Sequence, residues 1–541
     1  MKRSVLPITL GWAIFAALCG CGGEPAKGGD PTPGTGSGGS GASGGSGGNG
    51  GGSGGSGGDN QQPPAGPSSL GADGWAATTT GTTGGDGATK ENIFTVTTRK
   101  ELVAALFPNG TTNPDGTPAT PSSTPKIIYI KGTIDLSTDD DNNPLTEKDY
   151  ADPAYDFQAY VDAYKPSVWN TTLVNGKPPP LTGPLEEARA RSADKQKATT
   201  LIQVGSNTSI LGLGTDAKII HGTLYLGTGI DNVVIRNIAF EDAFDHFPAW
   251  DPGDSFRVDT NVPGCTAENP LTCPGGRWNS EYDLIQVIGA THVWIDHNTF
   301  SDGDRLDNLF PSVFEAPRTG HEYSVQHHDG TADVTLQSDF VTISYNRFHD
   351  HDKTNLLGGT DTATPQNGWG FLSVTIHHNF YENATQRLPR VRFGKVHVYN
   401  NYYKGTLAPS DEAKPAPDYP FLYALGIGQF AKLYSEANAF DIAADPADPP
   451  AAAKNVVSVY HKSGSGNFAN EKTYFFDAES TLNGEAVDLF AAAQAAALAA
   501  KKPEITATDA VWTPASSYEY TKQPVAEVKA EVTSKAGAGK L

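Results

Sequence analysis

Apolar and polar positions alternate in short runs through the middle of the chain, and five of these runs align without gaps. They are VVIRNIAF from Val233, VWIDHNTF from Val293, VTISYNRF from Val341, VTIHHNFY from Val374 and VHVYNNYY from Val396. β-Branched residues hold the first and third places and an aromatic ring holds the eighth. Alternate side chains of a strand share a face, so the first and third places point one way from a short strand, and a turn brings the aromatic back to the same interior. Four of the five carry Asn at the sixth place: Asn298, Asn346, Asn379 and Asn401. Asn tolerates left-handed backbone and bonds its own backbone, which suits a turn repeated in every coil. The first residues of successive runs are 60, 48, 33 and 22 apart, the last being one tight coil and 48 being close to two. That spacing predicts an all-β, parallel β-helix with long loops and helices inserted between some strands. A β-sandwich with recurring strands is the alternative, but it needs hairpin turns between neighbours rather than the same phase in every run. TTRKELVAALF, 97–107, predicts an amphipathic helix behind a Thr cap, placed to close one end of the stack. Segment 141–195 predicts helices packed on that body, without saying whether they reach a ligand.

Composition sharpens the ends of the chain. With 61 Gly and 38 Pro in 541 residues the chain favours strands and turns, and its length can hold several average domains or one long β architecture. The N-terminus MKRSVLPITLGWAIFAALCGC has two cations, then an apolar stretch too short to span a bilayer, and reads as an export signal. Its ending, Leu18-Cys19-Gly20-Cys21, resembles a bacterial lipobox, which implies a lipid anchor at Cys21; an ordinary cleaved signal is the other reading. Both place the protein outside the cytoplasm, secreted or held at the outer membrane as a lipoprotein. Residues 22–70 are Gly/Ser-rich and cannot bury enough apolar surface to fold, so they read as a tether spanning roughly 35 to 40 Å. The expected organisation is thus a signal over 1–21, a linker over 22–70 and a folded domain over 71–541. Cys265 and Cys273 have no metal-type spacing, and in an oxidising compartment a loop disulfide between them is expected.

The formal net charge of −22 argues against nucleic-acid partners. Yet QRLPRVRFGK, 386–395, holds Arg387, Arg390, Arg392 and Lys395 with no acid among them. Screening beyond about 8 Å lets such a segment bind a polyanion locally. Extended pairing makes Arg390 and Arg392 neighbours on one face, while Pro389 breaks the ladder and sets Arg387 where a strand begins. Upstream lie two acidic pairs, Glu281 with Asp283, expected to share a strand face, and Asp329 with Asp333, just before a strand. Several carboxylate oxygens with no Cys in range favour Ca²⁺ over zinc. Solvated loop acids and a basic strand edge that discourages aggregation are the plainer readings. His327, His328, His349, His351, His377 and His378 lack a metal-ligand spacing and are expected to be structural.

Together WIDHNTFSDG, HHDGTAD, VTISYNRFHDHDK, QRLPRVRFGKVHVYNNYY and the closing AGAGKL resemble pectate lyases of the first polysaccharide lyase family, from about Gly71 to Leu541. The resemblance implies a right-handed parallel β-helix and cleavage of polygalacturonate by β-elimination. Position by position it implies Asp283, Asp329 and Asp333 as calcium ligands, Arg387 as the catalytic arginine, and Lys353 and Arg392 as substrate-carboxylate binders; Glu281 matches an acid found in some members, and Arg390 receives no role. An alkaline optimum and a monomer are expected, with Arg387 lowered in pKa by its cationic surroundings. A pectin lyase acting on methyl-esterified polymer would not need three metal ligands. A polygalacturonase would call for paired acid and base carboxylates. A pectin-binding protein without catalysis would tolerate loss of Arg387.

Overall fold

The computed structural model describes residues 71–169, 178–254, 266, 275–316, 318–319, 323–411 and 413–541. The signal with Cys21, the linker, and both Cys265 and Cys273 lie outside the described residues. Three parallel sheets of ten, eight and ten strands run through the described chain. Each coil gives one strand to each sheet, and hydrogen bonds run from coil to coil, as a right-handed parallel β-helix requires.

The register confirms the repeat. Val233, Val293, Val341, Val374 and Val396 are successive partners in one sheet. All five are fully buried. Phe240, Phe300, Phe348, Tyr381, Tyr403 and Phe440 stack ring on ring, with centroids 4.5–5.3 Å apart. The run of coils therefore continues through LYSEANAF, Leu433–Phe440, which departs from the β-branched pattern.

The asparagines act differently from the expectation. It is the fifth place that adopts positive φ, at His297, Tyr345, His378 and Asn400. The Asn after each one uses its side chain instead: Asn298 N–H donates to Asn346 Oδ1 at 2.8 Å, Asn346 to Asn379 at 2.9 Å, Asn379 to Asn401 at 3.0 Å, and Asn401 to Asn438 at 2.9 Å. The ladder satisfies turn N–H groups that have no strand partner and no water.

The helix Arg99–Leu106 forms where expected, with Thr98 accepting from Glu101 N–H at 3.3 Å, and it buries Leu102, Ala105 and Leu106 in the main core. Segment 141–195 gives the helices Glu147–Tyr150, Phe157–Tyr164, Pro166–Trp169 and Pro184–Thr200. Tyr160, Tyr164, Trp250, Trp278 and Phe314 form a separate aromatic core beneath them. The C-terminal AGAGKL is laid on the turns, with Gly537 donating to Tyr345 O, Ala538 to Thr299 Oγ1 and Gly539 to Asn237 Oδ1.

Candidate active site on the eight-stranded sheet

Asp333 sits in the strand Ala332–Thr335, between Ala332 and Val334, which are both fully buried. The pleat therefore turns its carboxylate to the outer face of the sheet, where Oδ1 accepts from Leu356 N–H at 2.8 Å. Asp283 lies in the turn before the strand Ile285–Ile288, and its Oδ1 accepts from Gly330 N–H at 2.6 Å. A Cβ on Gly330 would stand 2.6 Å from Asp283 Oδ1 and 2.6 Å from Asp333 Oδ1. The two oxygens are thus at most twice that distance apart, and only glycine leaves the room between them.

Asp329 completes the group through its ion pair with Lys353, at 2.6 Å. Burial raises its pKa, but Lys353 and then Arg387 outweigh burial and hold the carboxyl below its usual range. Asp283 and Asp333 have no cationic side chain within ion-pair distance among the described residues. Burial, followed by the charge of Asp329, pushes Asp283 up to about 7. Burial and then the charges of Asp283 and Asp329 push Asp333 well above the carboxylate range. Anionic oxygens converging without a counter-charge, and with no sulfur or imidazole donor, fit a hard divalent cation such as Ca²⁺.

The cations follow from the next coils. Lys353 ends the strand Arg347–Lys353 and pairs in register with Gln386, next to Arg387. Arg387 has φ 59°, between the strands Phe380–Gln386 and Arg390–Val391, and a cis Leu388–Pro389 bond follows it. Its Nε is buried without a hydrogen-bond partner. The expected downward shift of Arg387 is not found: burial does lower its pKa, but Asp329, Tyr423 and Asp333 outweigh burial and raise it. The acids, not the other cations, dominate its field. Arg392 is tied down, its Nε donating to Asp361 Oδ1 and its Nη1 to Gly358 O, each at 2.7 Å.

Glu281 does not join the site. It lies in irregular chain rather than on a strand face shared with Asp283, and it pairs with Lys197 of the Pro184–Thr200 helix at 3.1 Å.

A second acidic group adjoins the first and was not singled out by the sequence. Asp302, Asp307 and His328 bring metal-ligand-type atoms within 4.8 Å of one another. Both ring nitrogens of His328 are engaged, Nδ1 with Asp307 Oδ1 and Nε2 with Asp242 Oδ1, each at 2.9 Å. A ring donating from both nitrogens is an imidazolium with no lone pair for a metal. Burial opposes that charge, but Asp302 and Asp307 outweigh it and hold His328 well above its ordinary pKa. Arg305 meets Asp242 at 2.7 Å, and His351 joins Asp302 to the carbonyl of Asp329, 2.9 Å from Nε2. This is an internal ion network that supports the backbone of Asp329. Widely separated motifs contribute to it, which is why no local pattern announced it.

Comparison with known proteins bears on the family rather than on single residues. A profile of the family described as Pectate lyase matches residues 182–541. A pectate lyase of Bacillus subtilis (strain 168) is 41% identical over 477 residues, covering 88% of this chain and 94% of its own. Pectate lyase A of Dickeya chrysanthemi is 34% identical over 472 residues, covering 86% and 88%. Among solved structures, a pectate lyase from Acidovorax avenae subsp citrulli superposes with TM-score 0.76 at 42% identity, covering 90% of this chain and 99% of that one. A pectate lyase bound to hexasaccharide gives TM-score 0.68 at 40% identity, covering 87% and 97%. Identity of this extent, spread over nearly the whole folded chain, shows that the chain belongs to the pectate lyase family.

Proposed function

We propose that the protein is a calcium-dependent pectate lyase that cleaves (1,4)-α-D-galacturonan by β-elimination and leaves 4,5-unsaturated oligogalacturonides. The observation that carries this reading is the uncompensated pair Asp283 and Asp333, set beside the Asp329–Lys353 ion pair and beneath Arg387. Asp283, Asp329 and Asp333 hold Ca²⁺. When bound, the ion neutralises the acids and the substrate carboxylate, which acidifies the proton at C5.

The remaining work belongs to side chains. Lys353 and the Nη2 of Arg392 receive galacturonate carboxylates, and the planar guanidinium orients its partner. Arg387, in its neutral guanidine form, takes the C5 proton as the base, the electron pair forms the C4–C5 double bond, and the C4–O bond breaks, its oxygen taking a proton from solvent to leave as the hydroxyl of the departing chain. Desolvation is what presses Arg387 toward proton loss; Asp329 is what opposes it, and the Lys353 ion pair weakens that opposition. His351 fixes the Asp329 carbonyl, so the network behind the site positions an acid without touching substrate. At the other end of the chain, the signal over 1–21 and the linker over 22–70 deliver the domain over 71–541 outside the cytoplasm, tethered through Cys21.

The test is ultraviolet absorbance of unsaturated product from polygalacturonate, with calcium and then with chelator. Growth with calcium and its loss with chelator is the expected result. Reducing ends rising without that absorbance would replace elimination by hydrolysis, and silence from folded protein would sink the enzyme reading.

A further inference from the structure

The outward row of the eight-stranded sheet continues past Asp333. Gln286 pairs with Asp333, Val334 with Leu357, and Leu356 with Arg390, which pairs in turn with Gly426. Arg390 thus occupies the Asp333 row two strands further along, roughly 10 Å away at the usual strand spacing. Its setting differs from that of Arg392. Among the described residues no carboxylate lies within ion-pair distance of it, and its Nε is buried without a hydrogen-bond partner. The side chain lies along Gly426, where a Cβ would come within 3.0 Å of Arg390 Cβ and 2.9 Å of the Tyr423 ring. The guanidinium carbon sits 3.9 Å above the centre of the Tyr460 ring, and Tyr423 packs against Tyr460 at 5.6 Å. The Tyr423 hydroxyl is likewise buried and turned toward Tyr460.

A desolvated guanidinium with an unmatched donor carries a desolvation penalty, and a ring beneath it fixes its plane without neutralising it. Burial and then the like charges of Arg392 and Arg387 lower its pKa to about 10, so a bound anion is favoured there. Resting on the lyase reading above, we infer that Arg390, held flat by Tyr460, is a further subsite that receives the carboxylate of a galacturonate unit away from the bond being broken. The planar donors take the carboxylate, and the aromatic pair offers apolar surface to the sugar face.

The test uses the full chain with calcium, comparing Arg390→Gln and Tyr460→Leu with the unaltered protein on oligogalacturonates of increasing length and on polymer. Removal of the subsite raises KM on long substrate about tenfold with kcat held within twofold, and the difference fades on the shortest oligomer cleaved. An unchanged KM on polymer overturns the proposal, as does a rise that is equal at every length. If Arg390→Gln fails to fold, Arg390→Lys keeps the charge and loses the fork, and the same KM rise is required of it. Calorimetric binding of a long oligogalacturonate separates the two readings. A lyase assay that fails with the unaltered protein removes the enzyme reading, whereas equal affinity of Arg390→Gln and unaltered protein removes the subsite alone.

Discussion

Two aspartate triads stand side by side in this protein, buried except for the partly exposed Asp329, and behave in opposite ways. Asp242, Asp302 and Asp307 surround His328 and His351 and meet Arg305, so each acid has a cation of the chain against it. Among the described residues, Asp283, Asp329 and Asp333 share only Lys353 as an ion-pair partner. Proximity alone would choose the first group as a metal centre, because Asp302, Asp307 and His328 bring ligand-type atoms within 4.8 Å of one another. Charge balance chooses the second. A buried acid that the fold has already neutralised supports structure, and one that it has left unneutralised waits for a partner from outside.

Breaking each triad tests that distinction. The largest effect is expected from Asp283→Asn: elimination falls about a thousandfold, while the melting temperature in chelator holds or rises because an uncompensated charge is gone. Assay and melting curve on the same preparation check it, and equal loss in both would merge the triads into one structural cluster. Next comes Asp302→Asn, which takes the counter-charge from His351, leaves either His351 or Tyr419 without an acceptor, and costs about 3–5 kcal/mol of stability in denaturant titration. Its calcium midpoint moves less than that of Asp283→Asn, because it reaches Asp329 only through His351.

Acid should sharpen the contrast further. Burial depresses His246, His327 and His397 to about 4 and His378 to about 3, so the unfolded chain takes protons near 6.5 that the folded chain refuses. Stability from these rings is complete above about pH 6.5 and drains as pH falls toward 4. His328, shifted upward, runs the other way: its contribution is present below 6.5 and is lost as pH rises through its folded value. Melting temperatures should therefore drop between pH 6.5 and 4, a window in which the His328 contribution stays level. The smallest effect belongs to Glu281→Gln, whose surface pair with Lys197 contributes at most about 1 kcal/mol, with calcium response unaltered.

The repeat was legible because coil-to-coil register copies the same inward residues, so Val233 through Val396 aligned in sequence before they aligned in space. LYSEANAF escaped because Leu replaces the β-branched residue, although Asn438 extends the same ladder. Grouping Asp283 with Asp329 and Asp333 rested on resemblance; the Gly330 contacts then showed how closely they converge. Glu281 was misplaced because a spacing of two implies a shared face only where the backbone is extended, and here it is not. The His328 network stayed hidden because Asp242, the 302–328 stretch and His351 of the strand Arg347–Lys353 lie far apart in sequence and meet only when the coils stack. For Arg390 and Arg392, sequence gave neighbouring positions but not partners, and the Asp361 contact that distinguishes them lies about thirty residues away.

The unequal steps of 60, 48, 33 and 22 residues between runs that nonetheless stay in perfect register have an evolutionary consequence. Residues added to a chain connection do not shift Asp333 relative to Arg387, because those positions are counted in coils. Descendants of this chain can therefore trade loops freely, and change which polymers they accept, while inheriting one unaltered arrangement of reacting groups.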